Sequence, residues 1–218
     1  MIRVVLVDDH ELVRTGFRMI LSQHADIQVI GEAADGEQGL SLIRQMKPDV
    51  AVVDVHMPKL TGIELTDRVR KHKLDTRIVI LSVVNEAPFP RRLLQAGASG
   101  YLTKGCAADE LVRAVRQVAD GRRFLSPDVA ELLALGALDG HSASPFDALS
   151  ARELDVALML ARGEDMQHIA RHLKLSAKTV ATYKYRLFEK LEIDNPVALA
   201  HLAHLHGVLD NRARAAAG

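Results

Sequence analysis

In Asp49-Val50-Ala51-Val52-Val53-Asp54-Val55-His56-Met57-Pro58 an apolar run, opened by Asp49, ends on a second aspartate, Asp54. Bounded by Pro48 on one side and Met57-Pro58 on the other, it reads as a short strand buried on both faces, as in parallel sheets covered by helices. Asp54 then sits at the strand's carboxyl end. In open α/β sheets the strand ends form a crevice that loops furnish with polar groups, and ligands collect there. A charged side chain closing a buried strand is costly unless a cation or a function accompanies it.

Outward from this strand, the pattern repeats. Ile2 to Val7 is an apolar run delivering Asp8 and Asp9, followed by a helix whose apolar face is Leu12, Phe17, Ile20 and Leu21. A strand at 27–33, a helix entered at Asp35-Gly36 and running through Leu40 and Ile43, and the Asp54 strand come next. A helix then starts near Gly62, and a strand at 77–82 leads to a helix at 90–96. A strand at 100–103 and a helix from about 107 to 120, stopped by Gly121, complete the half. Strands alternating with helices predict a five-stranded, parallel, doubly wound sheet of the flavodoxin-like kind over residues 1–121.

Parallel strands share a direction, so Asp8-Asp9, Asp54, Ser82 and Lys104 fall on one sheet edge. Carboxylates brought together repel, so the group calls for a hard divalent cation with oxygen ligands, magnesium being the natural one. Lys104 and the Ser82 hydroxyl add a positive charge and a donor opposite the metal. That constellation suits a phosphoryl group on Asp54.

The series Val7-Asp8-Asp9-His10, Asp54-Val55-His56-Met57-Pro58, Leu81-Ser82 and Tyr101-Leu102-Thr103-Lys104 resembles the receiver domain of two-component response regulators. The resemblance implies that Asp54 accepts phosphate from a histidine kinase. It further implies that Asp8, Asp9, Asp54 and the carbonyl of His56 hold the metal, and that Ser82 and Tyr101 form the switch pair. Serine stands at 82 where threonine is common, and Gly105 where many receivers have proline.

Residues 122–146 change character. Ser126-Pro127-Asp128 starts one linker helix, and Gly140-His141-Ser142-Ala143-Ser144-Pro145 is small, polar and punctuated. From Ser150 the pattern is helical throughout. Ser150-Ala151-Arg152-Glu153 has capping-box form, Ser176 can cap a later helix, and Asn195-Pro196 opens the last one. Two short helices meeting at a tight turn within a four-helix unit make residues 147–210 a helix-turn-helix candidate. Residues 211–218, rich in Ala and Arg, read as a frayed tail.

Lys+Arg and Asp+Glu both number 28, so the net charge of zero points to no partner, and any nucleic-acid signal must be local. It is local: Lys174, Lys178, Lys184, Arg186 and Lys190 face one acid, Glu189. Thr179, Thr182, Tyr183 and Tyr185 lie between them and can reach phosphates or base edges. Lys178, Thr179, Thr182, Tyr183, Lys184, Tyr185, Arg186 and Lys190 are the expected double-stranded DNA contacts.

Leu149-Ser150-x-Arg152-Glu153, Ile169-Ala170-x-x-Leu173-x-x-Ser176-x-Lys178-Thr179-Val180 and Lys190-Leu191 resemble the LuxR-type (NarL/FixJ) DNA-binding domain. More narrowly, Pro88-Phe89-Pro90, the stretch 144–150 and the stretch 182–191 resemble regulators of the GacA type. The resemblance implies a sensor histidine kinase of the BarA/GacS type, transcription regulation with RNA polymerase as a further partner, and no enzymatic turnover beyond self-phosphotransfer. Coupling between the halves predicts a homodimer on phosphorylation.

At 218 residues with 48% hydrophobic content the chain has core material for two domains. Cys106 is the only cysteine, so no internal disulfide forms. The apolar start stops at Asp8, too short for a signal peptide or a span, and the expectation is a cytoplasmic protein without membrane contact. His201, His204 and His206 lack a carboxylate or thiol nearby in sequence and read as a polar helix face. An aspartyl-phosphate phosphohydrolase would share Asp54 and the metal, but its second acid, two residues on, is replaced by His56. A receiver acting only through protein contacts is opposed by the basic helix.

Overall fold

The computed structural model describes residues 1–55, 57–82, 89–138, 144–173 and 175–206. His56, Pro88, Lys174, the punctuated stretch 139–143 and the tail lie outside the described residues. The chain divides into two compact units, the first comprising residues 1–85 and 90–135 and the second residues 86–89 and 136–218.

In the first unit, β1 (Ile2–Val7), β2 (Ile27–Ala33), β3 (Val50–Asp54), β4 (Arg77–Ser82), β5 (Gly100–Thr103) and β6 (Phe124–Leu125) pair in the order β2-β1-β3-β4-β5-β6. Every pairing is parallel. The sheet therefore has six strands, not the five expected from sequence. β6 pairs Phe124 with Gly100 and Tyr101 with Leu125. Two residues are too few to show a strand period, so this strand had no sequence signal of its own. Between the strands run α1 (Glu11–Ser22), α2 (Gly36–Met46), α3 (Gly62–Lys71), α4 (Phe89–Ala96) and α5 (Ala108–Ala119), and α6 (Pro127–Leu138) follows β6.

All five residues of β3 are buried, as a central strand covered on both faces requires. One core cluster gathers Val4, Leu6, Val50, Val52, Val79, Leu81 and Leu102 with Phe17 and Leu21 of α1 and Leu111, Val115 and Val118 of α5. The expected apolar face of α1 needs one correction. Phe17 and Leu21 are buried and Ile20 packs beside them, but Leu12 is 85% exposed. Leu12 lies five residues before Phe17, off the stripe at three- and four-residue spacing, and Val13 takes the core position instead.

The second unit holds a short 3-10 turn (Pro145–Ala148), α7 (Ala151–Ala161), α8 (Met166–His172), α9 (Ala177–Leu191) and α10 (Pro196–Leu205). Its helix starts are those expected: the Ser150–Glu153 capping box is complete. Ser176 accepts from the Thr179 amide, and Asn195 caps α10 with Pro196 just inside. Val180, Leu187 and Leu191 give α9 its buried side, against α7 and α8. Among the described residues no helix is long and apolar enough to cross a membrane.

Candidate functional site

The sheet register collects the polar strand ends. Val7 pairs with Val53, Asp54 with Leu81, and Ser82 with Thr103, so Asp8, Asp54, Ser82 and Lys104 emerge at one edge. Asp8 and Asp54 are buried at 2% exposure each, and Asp9 is partly exposed beside them. Lys104 Nζ lies 2.8 Å from Asp8 Oδ2 and 2.9 Å from Asp54 Oδ2, bridging two of the carboxyl groups. Burial pulls the Lys104 ammonium down, but Asp54 and Asp8 outweigh it and hold the group above its ordinary range. The Tyr101 hydroxyl, wholly buried, hydrogen-bonds Ser82; burial pushes it up to about 12, the Ser82 bond opposing and the Asp54 charge adding to the rise.

The backbone is shaped to bring these groups together. A Cβ on Gly62 would collide with the Asp54 carbonyl, so only glycine lets the start of α3 close over the end of β3. Lys59, in the loop between them, reaches back 2.7 Å to Asp35, which also caps α2. Arg14 donates 2.6 Å to the Asp8 carbonyl from α1. The helix start at Asp35 is legible in the sequence, but the Arg14–Asp8 and Lys59–Asp35 contacts act across 6 and 24 positions, and only the folded chain shows those partners.

One carboxylate oxygen each from Asp8, Asp9 and Asp54 and a ring nitrogen of His10 all lie within 4.8 Å of one another. Lys104 pairs with Asp8 and Asp54, and the hard oxygen donors of the three clustered carboxyl groups fit a hard divalent cation. The His56 carbonyl, expected to be a further ligand, lies outside the described residues.

On α9, Lys178, Thr182, Tyr185 and Arg186 share an exposed side, with Tyr185 72% exposed. Thr179 and Tyr183 are half-buried, the Thr179 hydroxyl being 2.8 Å from that of Ser176. Lys184 lies along the helix with Nζ 5.4 Å from the Phe188 ring centre. Lys190 is placed differently from the others. Its ammonium donates 2.6 Å to the buried Glu153 carboxylate and 3.3 Å to the Ala148 carbonyl, tying the end of α9 to the start of α7. The basic run thus separates into an outward set and one internal tie.

A parallel sheet gathering three aspartates, a lysine and a hydroxyl at one edge, followed by a four-helix unit with a basic exposed helix, defines a receiver joined to a helix-turn-helix module. Residues 4–116 match the response regulator receiver domain family, and residues 147–203 match the bacterial regulatory proteins of the luxR family. The chain is 48% identical to the response regulator GacA of Pseudomonas aeruginosa over 211 residues, 96% of this chain and 99% of that one. It is 44% identical to the response regulator UvrY of Escherichia coli, over 95% of this chain and 96% of that one. Among solved structures, RcsB, seen as two dimers bound to two parallel DNAs, aligns with a TM-score of 0.59 at 26% identity, covering 93% of this chain and 98% of that one. The chain belongs to the two-component response regulators with a LuxR-type DNA-binding domain and is a transcription regulator similar to GacA and UvrY, not an enzyme of ordinary turnover.

Proposed function

We propose that Asp54 is the phosphoacceptor and that its phosphorylation by a sensor histidine kinase of the BarA/GacS type switches DNA binding by α9. The observation that carries this is the placement of Asp54: buried at the end of the central strand, 2.9 Å from Lys104, with Asp8 and Asp9 beside it. An Asp54 carboxylate oxygen forms the new bond to phosphorus as the phosphorus–nitrogen bond to the donor's imidazole breaks, the imidazole leaving with the electron pair. Lys104 neutralises the phosphoryl oxygens, and Ser82 donates to one of them. Asp8, Asp9, Asp54 and the His56 carbonyl would hold magnesium, which supplies charge neutralisation at the transferring group.

The Ser82–Tyr101 hydrogen bond supports these two as the switch pair, because a hydroxyl drawn toward the phosphoryl group must change its bond to Tyr101. Lys178, Thr182, Tyr185 and Arg186 form the outward DNA-reading set, flanked by Thr179, Tyr183 and Lys184. Lys190 positions the helix through Glu153. The solved DNA-bound dimers of RcsB support a homodimer on DNA. RNA polymerase as a further partner and the cytoplasm as the place of action follow from the reading of the chain as a transcription regulator.

The test is phosphoryl labelling. Asp54→Asn keeps the fold and abolishes the mass increase that a small phosphoryl donor with magnesium gives the native chain, read by intact-mass spectrometry. Full labelling of that variant would overturn the assignment.

A further inference from the structure

The loop that carries the chain from Asp54 to α3 is fastened to α2, a helix that supplies nothing to the pocket. Gly62 closes the loop at one end, its amide donating 2.9 Å to the Val55 carbonyl. Farther along, Lys59 adopts a left-handed backbone with φ +66°, a region that glycine fills most readily. Its ammonium lies 2.7 Å from Asp35 Oδ2, although half of the side chain is in solvent. Asp35 is buried and uses its other oxygen to cap α2, accepting from the Gln38 amide at 2.9 Å. The next residue on each side seals the contact: a Cβ on Gly36 would collide with the carbonyl of Leu60, whose own side chain is buried. Two adjacent pairs, Asp35 with Lys59 and Gly36 with Leu60, thus dock the loop on the start of α2.

We infer that Lys59 and Asp35 are positioning residues for phosphoryl transfer, their ion pair latching the loop after Asp54 so that it is already ordered when cation and phosphoryl group arrive. A left-handed residue other than glycine persists only where its surroundings hold it, and the Asp35 carboxylate supplies that hold. The His56 carbonyl, proposed above as a cation ligand, belongs to this loop by sequence. Freed of the latch, the loop has to be ordered as the cation binds. That ordering weakens binding without altering the chemistry once the site is filled. Electrostatics alone predicts the opposite sign for Lys59, because removing a positive charge near carboxylates strengthens their hold on a cation.

This inference rests on Asp54 being the phosphoacceptor of a cation-dependent site, and the experiment separates the two. Magnesium affinity of the full-length chain is measured by calorimetry, and the rate of labelling by a small phosphoryl donor is followed against magnesium concentration by intact-mass spectrometry. Lys59→Met is expected to weaken magnesium severalfold and to move the midpoint of the labelling curve by the same factor, with its plateau unchanged. Lys59→Gly, which relieves the backbone but lacks the ammonium, is expected to behave like it, and Lys59→Arg to restore native values. Asp35→Asn, which can still cap α2, is expected to show the same shift, and combining it with Lys59→Met adds nothing further. Lys71→Met breaks a 2.7 Å surface pair with Asp67 on α3, removes one positive charge, and is expected to change neither measurement. Native affinity in Lys59→Met or Lys59→Gly, tighter magnesium in Lys59→Met, or an equal shift in Lys71→Met overturns the latch. So does a lowered plateau with an unmoved midpoint. If the native chain binds no magnesium and takes no label, the pocket reading falls and the inference with it.

Discussion

Lys104 is the residue on which the pocket's electrostatics turn, because its ammonium bridges two buried carboxyl groups. Removing it leaves Asp8 and Asp54 facing each other without that charge, and breaking a buried pair costs about 3–5 kcal/mol. Lys104→Met is therefore expected to lower urea stability by about 3 kcal/mol in the absence of divalent ions, and to recover part of that loss when magnesium is added. A loss that magnesium leaves untouched would place the lysine's role in packing. Tyr101 offers a second reading of the same environment. Burial raises its folded value to about 12 from an ordinary 10.0, so between those limits the unfolded chain releases a proton that the folded chain keeps. Its contribution is present below pH 10 and is lost as pH rises toward 12. Ultraviolet titration of the folded protein should show a phenolate component near pH 12 that disappears in Tyr101→Phe.

At the scale of elements, α9 joins two tasks that substitution can separate. Lys178 points outward, whereas Lys190 is bonded to Glu153 on α7. Lys178→Ala should lower the salt slope of DNA binding by about one unit and leave unfolding unchanged. Lys190→Met should instead cost stability, about 1–2 kcal/mol, because a buried carboxylate loses a charged hydrogen bond while a lysine 41% exposed is partly screened. Equal salt slopes for the two variants would reunite them as DNA contacts. Burial pushes the Glu153 carboxyl up, but the Lys190 and Ser150 bonds outweigh this and hold it below its ordinary 4.5. The helical unit's share of stability from this group is therefore present above pH 4.5 and is lost as pH falls through the lowered folded value. What the sequence made legible follows from length and period. The five longer strands, the capping box at Ser150 and the caps at Ser176 and Asn195 repeat over enough residues, or sit at fixed enough spacing, to be read directly. β6 is too short to show a period, Leu12 is apolar but lies off the buried stripe by its angle around the helix, and Lys190 shares the charge of its sequence neighbours but not their direction. The tie from Lys190 spans 37 positions, and no local pattern reports a contact at that separation.

At the scale of the molecule, two units of different chemistry must share one equilibrium. On the proposed reading, a phosphoryl group on Asp54 alters α9 only by stabilising one arrangement of the chain over another, and the hydrogen-bonded Ser82–Tyr101 pair is the lever proposed for it. Tyr101 is already wholly buried with its hydroxyl on Ser82, so drawing Ser82 toward the phosphoryl group must re-form that bond and repack what surrounds the ring. The expected outcome is a shift toward a homodimer whose two α9 helices match an inverted repeat. Moving from nearly all inactive to nearly all active requires about 5.5 kcal/mol of differential stabilisation. A single phosphoryl group acting through one hydrogen-bonded pair falls short of that, so dimerisation and DNA must add to it, and the shift without DNA should be partial. Sedimentation of the full-length chain with and without beryllofluoride, repeated with an inverted-repeat DNA, measures both contributions. Phosphoryl-mimic binding should raise self-association modestly alone and strongly with DNA, and Tyr101→Ala should uncouple the two while leaving Asp54 able to take the mimic. If occupied Asp54 changes neither self-association nor DNA affinity, the Ser82–Tyr101 pair is not the lever and the receiver signals through another partner.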